Sequence, residues 1–299
     1  DLHSFPTRRS SDLVGADPIT AAIKDIGRLS VHISCNDIAS NGIQPIGIVL
    51  AVMLPEGTTE EEVNEMMRQA GQASAELGVE IIGGHTEITP AVNKPVIVST
   101  AIGRGKKWDS QNAENMKAGD YILMTKSAGL EGSGVIACDY EDEMKQFLTG
   151  EEIQTAKDML NQVSVVKEGV IAGKIGMSGM HDITEGGILG AVWEMCHIGK
   201  TGAEVWIDQI PVEPVTRKIC EKYNIDYLRL ISSGCMMIMA DPEKKDELIR
   251  AISAEGIPIV CIGRITPQDT GIRMKVGREF MEVAPTRSEE RRVGKECRS

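Results

Sequence analysis

Three short segments of the chain carry side chains that could do chemistry, and the first surrounds Asp37. Asn36 and Asp37 lie on a largely apolar stretch that has the spacing of a helix. An ionised carboxylate is costly to bury there unless a cation pairs with it, and Mg²⁺ takes carboxylate and phosphate oxygens together. The segment therefore predicts a metal ligand at Asp37, with an exposed aspartate near a helix end as the alternative.

The second segment, Gly83-Gly84-His85-Thr86-Glu87, follows a short predicted strand. Adjacent glycines let backbone N–H groups approach a phosphate, and they also permit a tight turn. His85 and Glu87 add side chains that could give and take a proton. Taken alone, this segment favours a plain turn over a phosphate site.

The third segment runs from Asp182 to Gly187 and joins a predicted strand to a predicted helix. A carboxylate at a strand end, followed by Thr184 and a pair of glycines that open a helix, is favourable geometry for a metal–phosphate site. The alternative is helix capping by Thr184, which is worth only about 1 kcal/mol.

The composition is that of a globular protein with an acidic surface. The chain has 299 residues, of which 41% are hydrophobic and 25% charged, and its formal net charge is -12. Such a charge argues against nucleic acid or an anionic membrane as a direct partner. The longest apolar runs, such as residues 46–54, are too short to span a bilayer, and no secretory signal is recognisable. The seven cysteines show no CxxC pair, so the sequence indicates neither a zinc site nor a disulfide framework. We therefore expect the protein in a reducing cytoplasm.

The two ends of the chain are unlike the rest. Residues 1–13 and 287–299 have no periodicity, and both can be encoded by opposite strands of one sequencing-adapter oligonucleotide. We interpret both as translated adapter and exclude them from the fold. The natural protein is then expected to have been cut at both ends.

Between these ends, the pattern predicts two units of alternating helices and strands. The polar stretch at residues 104–119 is the predicted boundary. Thr59 and Glu62 form a predicted capping box, and Gly78 is a predicted left-handed helix end. Helices are predicted over residues 19–40, 59–77, 151–160, 165–172 and 188–197, strands over 46–54, 79–82, 95–102 and 121–125, and a turn over 129–134.

In their order and spacing, these motifs resemble the AIR synthase (PurM-like) superfamily, and within it the HypE-like, AIR synthase-related group. The resemblance covers residues 14 to about 286. It rests on five segments in order, namely Asp17-Pro18-Ile19-Thr20, residues 31–40, the Gly83 segment, residues 118–123 and Asp182-Ile-Thr-Glu-Gly-Gly187.

The resemblance implies a mixed α/β, or α+β, fold of two domains. An N-terminal ATP-binding and dimerising domain is expected over residues 14–106, truncated at its start, and a C-terminal α/β domain over residues 116–286. The family is homodimeric, with ATP sites at the interface of the N-terminal domains. Its members also carry a Gly- and Asp-rich segment upstream of the position of Asp17, which is expected to have been cut from this sequence.

The resemblance also implies a mechanism in which Mg²⁺ and ATP phosphorylate a substrate oxygen. It assigns metal ions to Asp17, Asp37 and Asp182. The expected contacts to phosphate or metal come from Asn36, Gly83, Gly84, Thr86, Thr184, Gly186 and Gly187. His85 and Glu87 are the candidates for proton transfer or substrate binding.

The leading hypothesis is an ATP-dependent, cytoplasmic enzyme that acts on a small molecule or a protein thiol, with a partner in hydrogenase maturation. A non-catalytic nucleotide-binding scaffold of a maturation complex is the second hypothesis. A third is another ATP-using member of the family, such as aminoimidazole ribonucleotide synthetase, against which His85 counts because that enzyme usually has Glu there.

Overall fold

The protein is described by a computed structural model over residues 12–19, 24–105 and 113–284. Most of the two segments that we interpret as adapter, residues 1–11 and 287–299, lies outside the described residues. Asp12 and Leu13 are described, and they begin the first strand.

The N-terminal unit is a four-stranded sheet with two helices on one face. The sheet order is β1-β4-β2-β3; β4 is antiparallel to both of its neighbours, and β2 and β3 are parallel. The elements are β1 (Asp12–Ile19), α1 (Ile26–Ala39), β2 (Pro45–Leu54), α2 (Glu60–Leu77), β3 (Glu80–Ile88) and β4 (Val96–Arg104).

Alternation along β2 explains how this sheet packs. Ile48, Leu50, Val52 and Leu54 are buried beneath the helices, and the residues between them are partly exposed on the opposite face. Helix α2 begins with the predicted capping box and ends at Gly78, whose φ is 64°. Both predictions are confirmed.

The structure corrects two predicted elements. Ile19 does not begin a helix: it ends β1, where it pairs with Ile97 of β4, and α1 starts only at Ile26. The glycine-rich stretch at 129–134 is not a turn, because helix α3 starts at Leu130. Gly129, the residue before the helix, has a left-handed backbone conformation that turns the chain into α3. The helix therefore begins without a side-chain cap.

The C-terminal unit is a seven-stranded sheet of order β11-β10-β7-β9-β5-β8-β6. Only β7 and β10 are parallel; the other neighbouring strands are antiparallel. The elements are β5 (Tyr121–Thr125), α3 (Leu130–Asp139), α4 (Glu141–Met144), α5 (Gly150–Asp158), α6 (Val166–Ile175), β6 (Gly179–Asp182), α7 (Gly187–Gly199), β7 (Gly202–Trp206), α8 (Pro214–Tyr223), β8 (Met236–Ala240), α9 (Lys245–Ala254), β9 (Ile259–Thr266), β10 (Ile272–Val276) and β11 (Glu279–Glu282).

Helices cover both faces of this sheet, so its central strands are buried throughout. On one face Leu123 and Ile238 pack with residues of α6 and α9. On the other, Met124 and Met237 pack with residues of α3, α5, α7 and α8. A strand such as β8, apolar at every position, is what such a two-sided core requires.

The two units meet where α6 lies against the end of α1. A Cβ atom at Gly169 would lie 2.5 Å from the carbonyl oxygen of Ala39, and one at Gly173 would lie 2.5 Å from Gly42. These glycines therefore let the two backbones touch. Across the described ranges, none of the helices has the length and apolarity needed to cross a bilayer.

Candidate functional site

Asp17 and Asp37 lie together where β1 meets α1. Their side chains lie close enough for the charge of Asp17 and a hydrogen bond to Asp17 to raise the pKa of Asp37. Gly15 makes room for this contact, since a Cβ atom there would lie 3.0 Å from Cβ of Asp37. Strand β1 and helix α1 thus place two of the predicted metal ligands side by side.

Two buried serines orient Asp17. The Ser34 hydroxyl donates to Oδ2 of Asp17 at 3.0 Å. The hydroxyl of Ser99 on β4 lies against that of Ser34 and 2.7 Å from the carbonyl oxygen of Ser30, and its single proton is donated to one of these two oxygens. Because Ser34 and Ser99 are fully buried, this network fixes the carboxylate from the protein side.

Asp182 enters the same cluster from the C-terminal unit. It is the last residue of β6, its side chain is 5% exposed, and its Oδ2 has no hydrogen-bond partner among the described residues. Burial raises the pKa of Asp182; nearby His181 opposes that effect, and the charges of Asp17 and Glu185 add to it. A buried carboxylate oxygen without a partner is the feature expected of a ligand that awaits a cation.

The pKa of Asp37 is raised well above its usual range. Burial is the largest cause, followed by the negative charges of Asp182 and Asp17 and the hydrogen bond to Asp17, with Glu185 last. These three neighbouring charges are all negative. The protein therefore supplies acidic groups from both units, and His181 offsets their repulsion only in part.

The oxygen atoms of Asp17, Asp37 and Asp182 are of the kind that binds Mg²⁺, but their arrangement is not that of a complete metal site. Carboxylate oxygens are the ligands that this hard cation prefers. Within the described part of the chain, however, no three His, Cys, Asp or Glu side chains converge closely enough to hold a metal ion as they stand. Mg²⁺ usually keeps several waters and needs only one or two carboxylates beside the phosphates of its substrate, so a closed cage is not required.

Two glycines shape the junction between β6 and α7. Gly186 and Gly187 have φ values of 82° and 58°, and a Cβ atom at Gly187 would lie 2.6 Å from the carbonyl oxygen of Leu228. The amide of Gly187 donates to the carbonyl oxygen of Thr184, and that of Leu189 to Leu228. Thr184 does not cap α7 through its side chain, and part of the first helical turn is already hydrogen-bonded within the protein.

Asn36 has a structural role that the sequence did not suggest. Its Nδ2 donates to the carbonyl oxygen of Val163 at 2.7 Å, and its Oδ1 accepts from the amide of Val165 at 2.8 Å. The side chain is fully buried. Asn36 therefore fastens α1 to the C-terminal unit, and its amide group is committed to that junction instead of a cofactor.

The Gly83–Glu87 segment is not a turn, because β3 continues through it to Ile88. The pairing with β2 shifts by one residue at Ile82, after which Gly84 faces Leu50. A Cβ atom at Gly84 would lie 2.1 Å from the Leu50 carbonyl oxygen, and its φ is 155°. Gly84 is therefore required by strand pairing, whereas Gly83 has open space around it.

His85 and Glu87 lie on this exposed edge strand, with His85 Nε2 3.5 Å from Glu87 Oε2. Gly84 and Asp17 occupy one row of the sheet, on β3 and β1, with β2 and β4 between them. Three strand spacings amount to about 14 Å. The structure thus gathers Asp17, Asp37 and Asp182, and it does not bring the Gly83–Glu87 segment to them within one chain.

Several residues of the cluster were missed from the sequence. Glu185 stands inside the third motif and could have been found there, and Ser34 lies one helical turn before Asp37. Ser99 gave no signal, since a serine in a strand reads as a polar surface position. Of the two histidines on apolar helical stretches, His32 is buried, whereas His197 is exposed and its ring stacks on Trp193 with 5.1 Å between the ring centres.

Comparison with known proteins gives relatives over most of the chain. A putative hydrogenase expression/formation protein of Methanocaldococcus jannaschii is 25% identical over 267 residues, covering 87% of this chain and 76% of the relative. The carbamoyl dehydratase HypE of Rhizobium leguminosarum bv. viciae is 28% identical over 249 residues, covering 82% of this chain and 69% of that protein.

The fold is shared with solved structures, and family comparison covers both units. A crystal structure of the hydrogenase maturation protein HypE in complex with ATP superimposes with a TM-score of 0.79 at 20% identity, covering 93% of this chain and 87% of that one. Residues 9–105 match the N-terminal domain, and residues 117–275 the C-terminal domain, of AIR synthase related proteins. The chain therefore belongs to the AIR synthase related protein family and has its two-domain α+β fold.

Proposed function

We propose that this protein is an ATP-dependent enzyme that phosphorylates an oxygen atom of its substrate with the help of Mg²⁺. The observation that carries the proposal is the acidic cluster at the domain junction. Asp17, Asp37 and Asp182 are held together although they repel one another, and one oxygen of Asp182 is buried without a partner. Perturbed carboxylates of this kind are typical of functional sites, where a bound cation relieves their repulsion.

In this proposal, Asp17, Asp37 and Asp182 hold Mg²⁺. When bound, the ion neutralises phosphate oxygens of ATP and so assists transfer of the terminal phosphoryl group. Ser34 keeps one oxygen of Asp17 directed by its hydrogen bond of 3.0 Å, which leaves the other oxygen for the ion. Asp182 contributes from the other unit, so closure of the site depends on the position of one unit against the other.

The glycine-rich strand has the second part in the proposal. Gly83, Gly84 and Thr86 approach the phosphate chain, and Thr184, Gly186 and Gly187 do so from the start of α7. His85 and Glu87 handle protons or bind the substrate; their contact of 3.5 Å and their exposure suit both tasks. Because Gly84 and Asp17 are about 14 Å apart, one chain alone does not surround the phosphates.

A homodimer is the arrangement that we propose to complete the site. The face of the N-terminal sheet that the helices leave bare is largely apolar and partly exposed: it presents Val14, which is 61% exposed, together with Val49, Ala51, Met53, Val96, Val98 and Ile102. An apolar sheet face of this extent favours burial against a second sheet. The β3 edge of one chain then stands at the interface.

Hydrogenase maturation is the setting that the relatives favour. The relative from Methanocaldococcus jannaschii is described as a putative hydrogenase expression/formation protein, and the solved HypE structure, described as that of a hydrogenase maturation protein, holds ATP. We extend ATP binding and a maturation partner to this chain as part of the proposal. The substrate is then a small molecule or a protein thiol.

The test is ATP turnover by the full chain with Mg²⁺, measured as ADP release. We expect turnover that requires Mg²⁺ and is lost in Asp37→Asn but retained in Asp246→Asn, whose side chain is 73% exposed and outside the cluster. Absence of Mg²⁺-dependent ATP binding would contradict the proposal.

A nucleotide-binding scaffold is the second candidate, and one observation favours it. The described carboxylates do not converge into a metal site as they stand. A scaffold would bind ATP without releasing ADP, both alone and with its maturation partner, so the same assay separates the two functions.

A further inference from the structure

Lys126 is a buried cation that the proposed mechanism does not use. Its side chain is 8% exposed, and its ammonium group makes three contacts. Nζ lies 2.6 Å from Oε1 of Glu168, 2.6 Å from the carbonyl oxygen of Ser164 and 2.7 Å from that of Gly234. An ammonium group has three donors, so all of them are used inside the protein. Lys126 therefore has no donor left for a substrate, and its task lies in what it joins.

The backbone at Lys126 is in an unusual conformation. Its φ is 57°, in the left-handed region that side chains other than glycine rarely adopt. Such a conformation costs free energy and persists only where the surroundings impose it. Here it directs the side chain from the end of β5 toward the segment before α6.

The contact of Lys126 with Ser164 links it to Asp37. Ser164, which Lys126 holds, lies between Val163 and Val165, the two residues that hydrogen-bond to Asn36. Asn36 immediately precedes Asp37 on α1. The segment 163–165 is therefore fastened on one side by Lys126 and on the other by the helix that carries Asp37.

The contact of Lys126 with Gly234 links it to Asp182. Gly234 leads into β8, where the amide of Met236 donates to the Thr125 hydroxyl at 2.9 Å, and Met236 pairs with Asp182 of β6. Thr125 also donates to Glu168 at 3.3 Å. Lys126 is therefore linked to the backbone that carries Asp182 as well as to the one that carries Asp37.

We infer that Lys126 is a positioning residue that sets the separation between Asp37 and Asp182 across the domain junction. This inference rests on the proposed function for its consequence, since the separation matters only if the two carboxylates share a cation. Glu168, 1% exposed, pairs with the ammonium group and holds it in place. Loss of the pair leaves each unit folded but loosens the joint between them.

The experiment compares Lys126→Met with the double variant Lys126→Met/Glu168→Leu in the full chain. Replacing both partners of a buried ion pair by apolar side chains can restore stability, whereas removing one partner leaves a buried charge. The apolar pair cannot hold the Ser164 and Gly234 carbonyl groups. Binding of Mn²⁺ alone, followed by electron paramagnetic resonance, is therefore expected to weaken by about tenfold or more in both variants, as for other residues that orient metal ligands.

Thermal unfolding separates the two roles. We expect the double variant to recover much of the stability that the single variant loses, with no recovery of Mn²⁺ affinity. Wild-type Mn²⁺ affinity in the double variant would overturn the inference, because the pair would then be a stabilising contact only. Lys117→Met is the matched control, since Lys117 pairs with Asp241 at 2.6 Å on the surface and should leave Mn²⁺ binding unchanged.

Hydrogen exchange gives a readout that needs no metal. The Val165 amide, bonded to Asn36 at 2.8 Å, is expected to exchange faster in the double variant than in the wild type, while amides of α9 are unchanged. If the wild type binds no Mn²⁺, the proposed metal site fails and this exchange alone decides the inference. Equal protection of Val165 in both proteins would overturn it. If the double variant does not fold, Lys126→Arg replaces it, because a planar guanidinium keeps the charge but cannot match three acceptors around one nitrogen.

Discussion

Two groups of buried acidic side chains lie at the junction between the units, and they are treated in opposite ways. Glu168 is 1% exposed and is paired with Lys126, whose three donors are all used. Asp182 is 5% exposed, has one oxygen without a partner in the described residues, and is surrounded by further carboxylates. The first group is complete within the protein, whereas in the second the nearby His181 offsets only part of the negative charge.

The difference separates a structural cluster from a site that awaits a ligand. A folded chain gains nothing in stability from buried carboxylates that repel each other, so their retention points to a task outside folding. A buried carboxylate with a fully satisfied lysine shows what the same chain does when the task is structural. Opposite responses to mutation are therefore expected in the two clusters.

The largest effect on stability is expected at the Lys126–Glu168 pair. Lys126→Met leaves the Glu168 carboxylate buried without its cation, and the free energy of unfolding should fall by about 3–5 kcal/mol. Urea unfolding monitored by circular dichroism measures this. Lys117→Met removes a surface pair that solvent screens, and it should lower the free energy of unfolding far less than Lys126→Met does. Equal losses in the two variants would show that the buried pair has no special weight.

The acidic cluster should respond with the opposite sign. Its surroundings hold the pKa of Asp37 above the value in the unfolded chain, so the contribution of Asp37 to stability is present at low pH and is lost as pH rises through the folded-state pKa. Asp37→Asn removes this penalty and should stabilise the metal-free protein by about 2 kcal/mol at pH 8.

The gain should shrink as the pH is lowered toward 4, because the unfolded chain then becomes protonated at Asp37 as well. Denaturant unfolding at the two pH values checks this, with Asp246→Asn as a surface control that should change stability by less than about 0.5 kcal/mol. A destabilising effect of Asp37→Asn at pH 8 would mean that the cluster is compensated after all.

This contrast also shows what the sequence could predict. Local signals sufficed for the Thr59–Glu62 capping box, the left-handed Gly78 and the Asp182-to-Gly187 junction, because each depends on neighbours along the chain. They also sufficed to bring Asp37 and Asp182 to notice, since a carboxylate on an apolar helix or at a buried strand end is conspicuous in the sequence alone.

What the sequence could not predict depends on pairing between distant segments. The roles of Asn36 and Lys126 follow from contacts with residues 163–165, more than 35 positions away from either. Strand order, too, places β3 three strands from β1, which no periodicity reveals. The same limit explains Gly84, whose need to be glycine comes from the carbonyl oxygen of Leu50 on a neighbouring strand.

A smaller effect on stability is expected at His32, which lies on α1 close enough for the charge of Lys126 to act on it. Burial lowers its pKa to about 3, with the charges of Arg28 and Lys126 adding to the effect. The unfolded chain takes up a proton near pH 6.5 and the folded chain does not, so stability is lost as the pH falls from 6.5 toward 3. This loss should reach about 1 kcal/mol by pH 5.5.

Comparing His32→Gln with the wild type across this range by urea unfolding tests the prediction. The variant should lack the part of the acid-side loss that comes from His32, and the exposed His197→Gln should keep it. Parallel pH curves for the wild type and His32→Gln would show that the buried ring does not couple to folding.

The finest test of the contrast is proton release on metal binding. Because burial and the charges of Asp182 and Asp17 raise the pKa of Asp37, this carboxyl carries a proton at neutral pH until a cation displaces it. Calorimetric titration with Mn²⁺ in buffers of different ionisation enthalpy should show release of up to about one proton, and affinity should rise from pH 6 to pH 8. Both effects should vanish in Asp37→Asn and persist in Asp246→Asn. Binding without proton release would mean that the carboxylates are already ionised in the metal-free protein. Their charge would then be compensated by something other than a directly paired lysine such as the one at Glu168.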